Sequence, residues 1–235
     1  MKKNTDYRGF RYPPEIIGYA VWLYHRFTLS YRDIEDLLAE RGIIVSYEAI
    51  RLWCTRFGPS YAQRLRRKSH RFGDHWYMDE ISTVTIHGTR MYLWRAVDQD
   101  GDLIDVLVQK RKDKRAARRF FRKMLKRQGA TPNRMTTDKL RSYAADKWEV
   151  MPSVVHCQDR YANNRVEASH QPTRQKERQM RRFKSMKQAQ RFLSVHGAVN
   201  NLFRFGRHLM WAIHHRMFRA KAFNEWQQVT YVYST

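Results

Sequence analysis

"HWYMDEISTVTIHGTRMYLWRAVDQDGDLIDVLVQ", residues 75–109, decides the fold. Its runs HWYMDEISTVTI, RMYLWRAVDQ and DLIDVLVQ are rich in β-branched and aromatic residues, and turn signals at His87-Gly88 and Asp100-Gly101 split them. The pattern predicts an antiparallel meander of three strands. Asp98, Asp100 and Asp102 are spaced like the start of a calcium loop, but Gly101 comes too early and the twelfth position is Gln109 instead of glutamate. A hairpin turn is the expectation there.

Beyond the meander the punctuation changes. A basic amphipathic helix is predicted at about residues 113–128, then a short strand NRMTTD, a helix LRSYAADKWE, a strand SVVHC, and two longer helices from about Asn164 onward. Three strands, a helix, then alternating strand and helix is the order of an α/β ribonuclease H-like core, a mixed five-stranded sheet flanked by helices.

Upstream, residues 13–58 read as three short helices. The first opens at Pro13-Pro14 and carries Ile16, Ala20, Leu23, Tyr24 and Phe27 at helical spacing. Ser30 is placed to cap the second, with Asp33 in the reciprocal position, Ile34, Leu37 and Leu38 as its buried stripe, and Gly42 at its end. Ser46 caps the third, with Ile50, Trp53, Cys54 and Phe57 inward and Tyr47, Arg51, Thr55 and Arg56 on the other side. Two helices joined by a glycine-containing turn, the second offering polar and basic residues, match an N-terminal all-α helix-turn-helix module whose last helix can enter a major groove.

Composition narrows the partner. Against 22 acidic residues stand 46 Lys and Arg, a formal net charge of +24, and such an excess repels itself unless a polyanion meets it. Nucleic acid is the first candidate. No run of 18 or more apolar residues occurs and MKKNTDYRGF lacks an apolar signal core, so a soluble cytoplasmic chain, nucleoid-associated and without membrane partners, is expected. Cys54 and Cys157 have no CxxC spacing and read as reduced core thiols. The apolar content suffices for a packed domain of about 150 residues plus a smaller satellite.

Acids stand where each would project from the core. Asp79 lies in the first strand, Asp138 ends the fourth, and Glu167 falls on the first turn of the helix after the last strand. Three such carboxylates suit phosphoryl transfer, because two divalent cations about 4 Å apart need oxygen ligands while one activates a nucleophile and the other steadies the leaving oxygen. Glu80 neighbours Asp79 but falls on the opposite strand face, so only one of them can join the site. His156 is either core or near the site. In NNRVEASHQPTRQKER, Glu167, His170 and Arg174 share a helical face, and a cation beside a metal carboxylate can bind DNA phosphate.

SYRDIEDLLAERGI, WYMDE, TTDKLRSY and NNRVEASHQPTRQKERQMRRFKS together resemble the DDE transposases of insertion-sequence family six, over nearly the whole chain. The resemblance implies a ribonuclease H-like catalytic domain, Mg²⁺ dependence with two ions for which Mn²⁺ substitutes, and insertion of a mobile element through 3′-hydroxyl ends. It puts Asp79, Asp138 and Glu167 on the acidic triad, Asp79 bridging both ions, and Arg174 on the basic position after the glutamate. Only 28 residues separate Asp138 from Glu167, fewer than the superfamily's usual spacing, which we attribute to a shortened connection around Glu149 to Pro152. The N-terminus carries no cysteine cluster, so the zinc-finger extension of some relatives is not expected.

The stretch MRRFKSMKQAQRF, residues 180–192, is basic without an acid; Arg178, Arg181, Arg182 and Lys184 are the expected DNA contacts. With Lys110 to Arg127, where eleven basic residues face one acid, it would line a DNA channel. The expected organisation is a DNA-binding domain over residues 1–62 and a catalytic domain with C-terminal basic helices over 63–235. Terminal inverted repeats and target DNA are the expected partners, and joining two ends implies a homo-oligomer, at least a dimer. Two rivals stay open: a helix-turn-helix repressor derived from a transposase, and a ribonuclease H-like nuclease without strand transfer.

Overall fold

The computed structural model describes residues 7–68, 72–111, 113–137, 151, 153–157, 175, 183–205 and 210–231, with the backbone alone for residues 79–84 and 114. The chain forms two compact units, His70–Ser194 and Met1–Ser69 with Val195–Thr235. The expected cut at residue 62 leaves the last helices with the catalytic domain. In the structure they group with the N-terminal helices instead.

The helical unit begins with α1 (Pro14–Arg26), α2 (Tyr31–Ala39), α3 (Tyr47–Arg56) and α4 (Gly58–Lys68). Proline at the first turn of α1 costs nothing, because that N–H has no helical partner anyway. The capping box of α2 is present: Ser30 Oγ accepts from the Asp33 N–H at 3.1 Å, and Asp33 Oδ2 accepts from the Ser30 N–H at 2.6 Å. Gly42, at φ 74°, turns the chain towards α3. On α3, Ile50, Trp53 and Cys54 are buried, and so is the following Phe57. Periodicity misleads at two positions, since Phe27 and Leu37 fit their stripes yet are 43% and 42% exposed. Sequence spacing stops at three helices; α4 follows at once, with Pro59 in its first turn and Tyr61, Ala62 and Leu65 buried.

In the other unit β1 (His75–Ile86), β2 (Thr89–Asp98) and β3 (Leu103–Gln109) form the meander, followed by α5 (Lys114–Gln128), β4 (Arg134–Thr137) and β5 (Val155–Cys157). The sheet order is β3-β2-β1-β4-β5, with the first three strands antiparallel and β1, β4 and β5 parallel. His87 and Gly88, at φ 47° and 75°, make the tight turn that a right-twisted hairpin favours. The second turn is held by Asp98, whose Oδ1 accepts the N–H groups of Asp100 and Asp102 at 3.0 and 2.8 Å. That carboxylate serves the hairpin, as expected over a calcium loop.

α5 is capped by Asp113 and ended by Gly129 in the left-handed region. Its Ala116, Ala117, Phe120, Phe121 and Met124 pack with Trp76, Met78, Trp94, Ala96, Ile104 and Met135 into one buried cluster. At its margin Asp105 on β3 is buried and takes Lys123 Nζ at 3.0 Å and Arg127 Nη1 at 2.6 Å, so its charge is compensated.

Phe183 is buried against Phe192, and α6 (Met186–Leu202) starts after Ser185, whose Oγ accepts the Gln188 N–H. From α6, Gln190 donates to the Val106 carbonyl and accepts the Val108 N–H, covering the outer edge of β3 with an amide. The division between units falls within this helix, at Ser194 and Val195. In the helical unit α7 (Ala212–Thr230) buries Ala222, Trp226, Val229 and Thr230. Tyr7 Oη donates to the Thr230 carbonyl, Arg64 donates to the Val229 carbonyl, and Tyr61 meets Trp226 edge to face. Burial among these groups pushes the Tyr61 phenol far above its ordinary range. Met180 and the expected helix LRSYAADKWE, the shortened connection around Glu149 to Pro152, and the helix expected from Asn164 fall wholly or mainly outside the described residues.

Candidate functional site

The centre of the sheet is where a parallel pair meets the meander. β1 and β4 run in register from His75↔Arg134 to Met78↔Thr137, and Met78 and Thr137 are both buried. Asp79 is the next residue of β1 and Asp138 the next residue of the chain after β4. Across the antiparallel side Asp79 pairs with Arg95 of β2, and a register shift follows between Glu80 and Thr83. Such irregularities end regular pairing and re-aim a strand beside working sites.

Polar contacts flank this point on both faces of the sheet, because Thr136 and Thr137 are consecutive strand residues. Thr137 Oγ1 and His156 Nε2 lie 2.6 Å apart, so His156 on β5 stands against the last described residue before Asp138. On the neighbouring positions His75 Nε2 meets Thr136 Oγ1 at 2.8 Å, while the His75 ring stacks on Tyr77 at 4.3 Å. Arg95 is 8% exposed and was not singled out from sequence. The signal was there: a lone arginine within YLWRAV, a run that otherwise reads as buried strand. Asp138, Glu167, His170, Arg174, Arg178, Arg181 and Arg182 lie outside the described residues. Cys157 is half-buried and Cys54 buried, both as free thiols.

Lys184 has an exposed side chain, while its carbonyl accepts from His87 Nε2 at 2.7 Å, which ties Lys184 to the β1–β2 hairpin. On α5 the exposed residues are Arg115, Arg119, Arg122, Lys126 and Arg127. The first four recur at helical spacing, on the side away from the buried cluster.

In the helical unit Tyr47, Arg51 and Thr55 follow one another at four-residue steps on α3 and so share a face. Arg51 is exposed, and Tyr47 and Thr55 are half-buried. Arg51 Nε donates to Glu48 Oε2 at 2.7 Å, which holds the guanidinium above its ordinary range. Arg32 lies over the Tyr47 ring at 4.4 Å, and Arg56 over Phe10 at 5.6 Å. No helix among the described residues is long and apolar enough to cross a membrane.

Known proteins match this sequence. The family description of a DDE domain matches residues 73–205. Over 169 residues, 70% of this chain and 75% of the relative, the sequence is 31% identical to the transposase for insertion sequence-like element IS431mec of Staphylococcus aureus. With the transposase for insertion sequence element IS257 in transposon Tn4003, also of Staphylococcus aureus, it is 30% identical over the same shares. Among solved structures, a chain of the simian T-cell lymphotropic virus intasome in complex with PP2A regulatory subunit B56 gamma aligns with a TM-score of 0.40 at 12% identity. That alignment covers 59% of this chain and about half, 51%, of the solved chain.

A mixed sheet with this strand order, matched by a DDE domain, defines a polynucleotidyl transferase on a ribonuclease H-like core. The chain belongs to the DDE transposases of insertion-sequence family six. Membership brings DNA as the partner and divalent metal ions as the cofactor class.

Proposed function

We propose that this transposase binds the terminal inverted repeats of its element, cleaves strands there and joins the freed 3′-hydroxyls to target DNA, with Asp79, Asp138 and Glu167 holding two Mg²⁺ ions. The observation that carries the reading is the β1–β4 register, whose last described pair is Met78↔Thr137. Asp79 and Asp138 each come next in sequence after that pair, and β1 and β4 are neighbours at the centre of the sheet. The donor chemistry fits, since three carboxylates offer hard oxygens of the kind Mg²⁺ and Mn²⁺ take. Bound there, the ions would supply Lewis acidity and charge neutralisation for phosphoryl transfer.

The protein's own groups do the positioning. Buried Arg95 stands across the ladder from Asp79, and His156 holds Thr137 at the end of β4. Arg174 is assigned to the scissile phosphate and Arg178, Arg181, Arg182 and Lys184 to the DNA backbone. End reading falls to residues 1–62, with Tyr47, Arg51, Thr55 and Arg56 on the groove side of α3, and chemistry to the core that follows. Pairing two ends requires at least a dimer, working in the cytoplasm on the nucleoid.

The test is strand transfer of a pre-cut element end into plasmid DNA with Mg²⁺ or Mn²⁺. Asp138→Asn keeps the shape of the side chain but replaces a charged ligand by an amide, so joining should disappear while end binding persists. Joining that survives the substitution would remove Asp138 from the site. A wild-type protein that binds ends and never joins them would favour the repressor.

A further inference from the structure

Within residues 211–218 four large apolar side chains stand in water: Trp211 is 79%, Ile213 54%, Met217 64% and Phe218 49% exposed. From Ala222 onward the same helix buries one face, through Ala222, Trp226, Val229 and Thr230, so α7 has a packed half and an uncovered half. Patches of this kind on soluble proteins mark interaction sites. The uncovered half is also basic. Arg216, Arg219 and Lys221 are exposed, and no acid occurs between residues 204 and 224. Ile213, Arg216, Met217 and Ala220 share one helical face.

A face of complementary character exists on the same unit. Asp33, Asp36, Leu37 and Glu40 recur at three- and four-residue steps along the outside of α2, and all four are exposed. Leu37, expected in the core, stands 42% exposed in the middle of these acids. Arg32, which could neutralise them, is turned onto the Tyr47 ring, and Arg41 approaches Glu40 only at 3.8 Å. In a chain of net charge +24 an acidic face is an exception, and it repels phosphate.

We propose that these two faces meet between two copies of this chain: the acidic face of α2 on one copy seats on the uncovered half of α7 on the other. Leu37 packs against Ile213 and Met217, while Asp36 and Glu40 oppose Arg216, Arg219 and Lys221. Each copy carries both faces, so a two-fold arrangement makes the contact twice and closes. Nucleic acid fits less well, because phosphates would pair with the arginines but leave Ile213 and Met217 in water. The contact gives the proposed pairing of two element ends a surface and rests on that reading for its purpose alone, so association is measured without DNA.

The experiment is sedimentation velocity of the full chain over a concentration series, with melting curves alongside. Arg216→Glu with Arg219→Glu in one protein, and Asp36→Lys with Glu40→Lys in another, should each weaken self-association by about tenfold or more, because like charges then face each other at both contacts. Mixing the two reversed proteins should restore association, since every reversed face then meets an opposite one. A wild-type monomer at all concentrations, or association untouched by either reversal, overturns the proposal. So does loss of DNA-end binding in the Arg216→Glu, Arg219→Glu protein with association intact, which would give the face to DNA. A lowered melting temperature that mixing does not repair would mean the face packs within one chain, and also overturns it. Element-end binding by wild-type protein is read separately, so a failed end-binding result bears on the transposition reading and leaves this contact standing.

Discussion

Arg51 and Arg56 both leave α3 into solvent, yet they keep different company. Arg51 is tied to Glu48, and because both side chains are about half exposed, the pair adds little to stability. What it does is hold a planar fork of donors in one orientation, the arrangement that suits bidentate pairing with a guanine edge. Arg56 lies over the Phe10 ring. Arg51→Ala should therefore leave the melting temperature unchanged and cost about 1–3 kcal/mol of discrimination between element ends and random DNA. Arg56→Ala should cost discrimination as well, together with some packing on Phe10. Competition binding with labelled ends checks both, and preferences unmoved by either change would mean that α3 is not the reader.

The C-terminal part of α7 behaves as a strap on the N-terminal helices. Thr230 lies against Gly18, where an added Cβ would meet its Cγ2 at 3.0 Å, and Tyr7, Arg64 and Tyr61 all reach the same last turns. Deleting residues 212–235 would bare Tyr61 and the Gly18 side of α1, at about 25 cal/mol per Å² of apolar surface returned to water. The helical unit should then melt well below that of the full chain by far-UV circular dichroism; unchanged melting would show the strap to be dispensable. This also marks where sequence reading reaches and where it stops. The strands, the His87-Gly88 turn, the α2 capping box and the inward stripe of α3 depend on near neighbours, so composition and spacing announce them. The strap joins residues more than 150 positions apart, and nothing local at Thr230 names Tyr7 as its partner. Leu37 and Phe27 show the reverse error, since a helical period tells which residues share a face but not whether anything covers it. At the candidate site, residue type and the expected strand order make Asp79 and Asp138 candidates, and the register then shows only that β1 and β4 are paired up to Met78 and Thr137. That Arg95 stands across from Asp79, and that His156 meets Thr137, needed the fold, because only pairing reveals which residue stands across from which.

Charge is a property of the whole chain, and +24 is too large to be settled inside it. Compensation within the fold is local: Lys123 and Arg127 serve the buried Asp105, and Arg119 donates to Gln109. Three further cations of α5, Arg115, Arg122 and Lys126, are exposed to solvent, as Lys184 is ahead of α6. If these residues meet phosphates, each contact releases condensed counterions, and log K falls against log salt by about 0.9 for every phosphate neutralised on duplex DNA. Such contacts carry no base information, so they should hold target and element DNA alike. Replacing Arg115, Arg122 and Lys126 together by glutamine should make the slope shallower by about 2 to 3 on any duplex, since three such contacts are removed. Preference for element ends should persist. The same measurement on Arg178, Arg181 and Arg182 asks whether the basic stretch after Glu167 shares the load. Fluorescence anisotropy over a salt series reads both sets, and a slope that does not move would return that set of residues to an ordinary solvated surface and leave the charge to be met elsewhere on the chain.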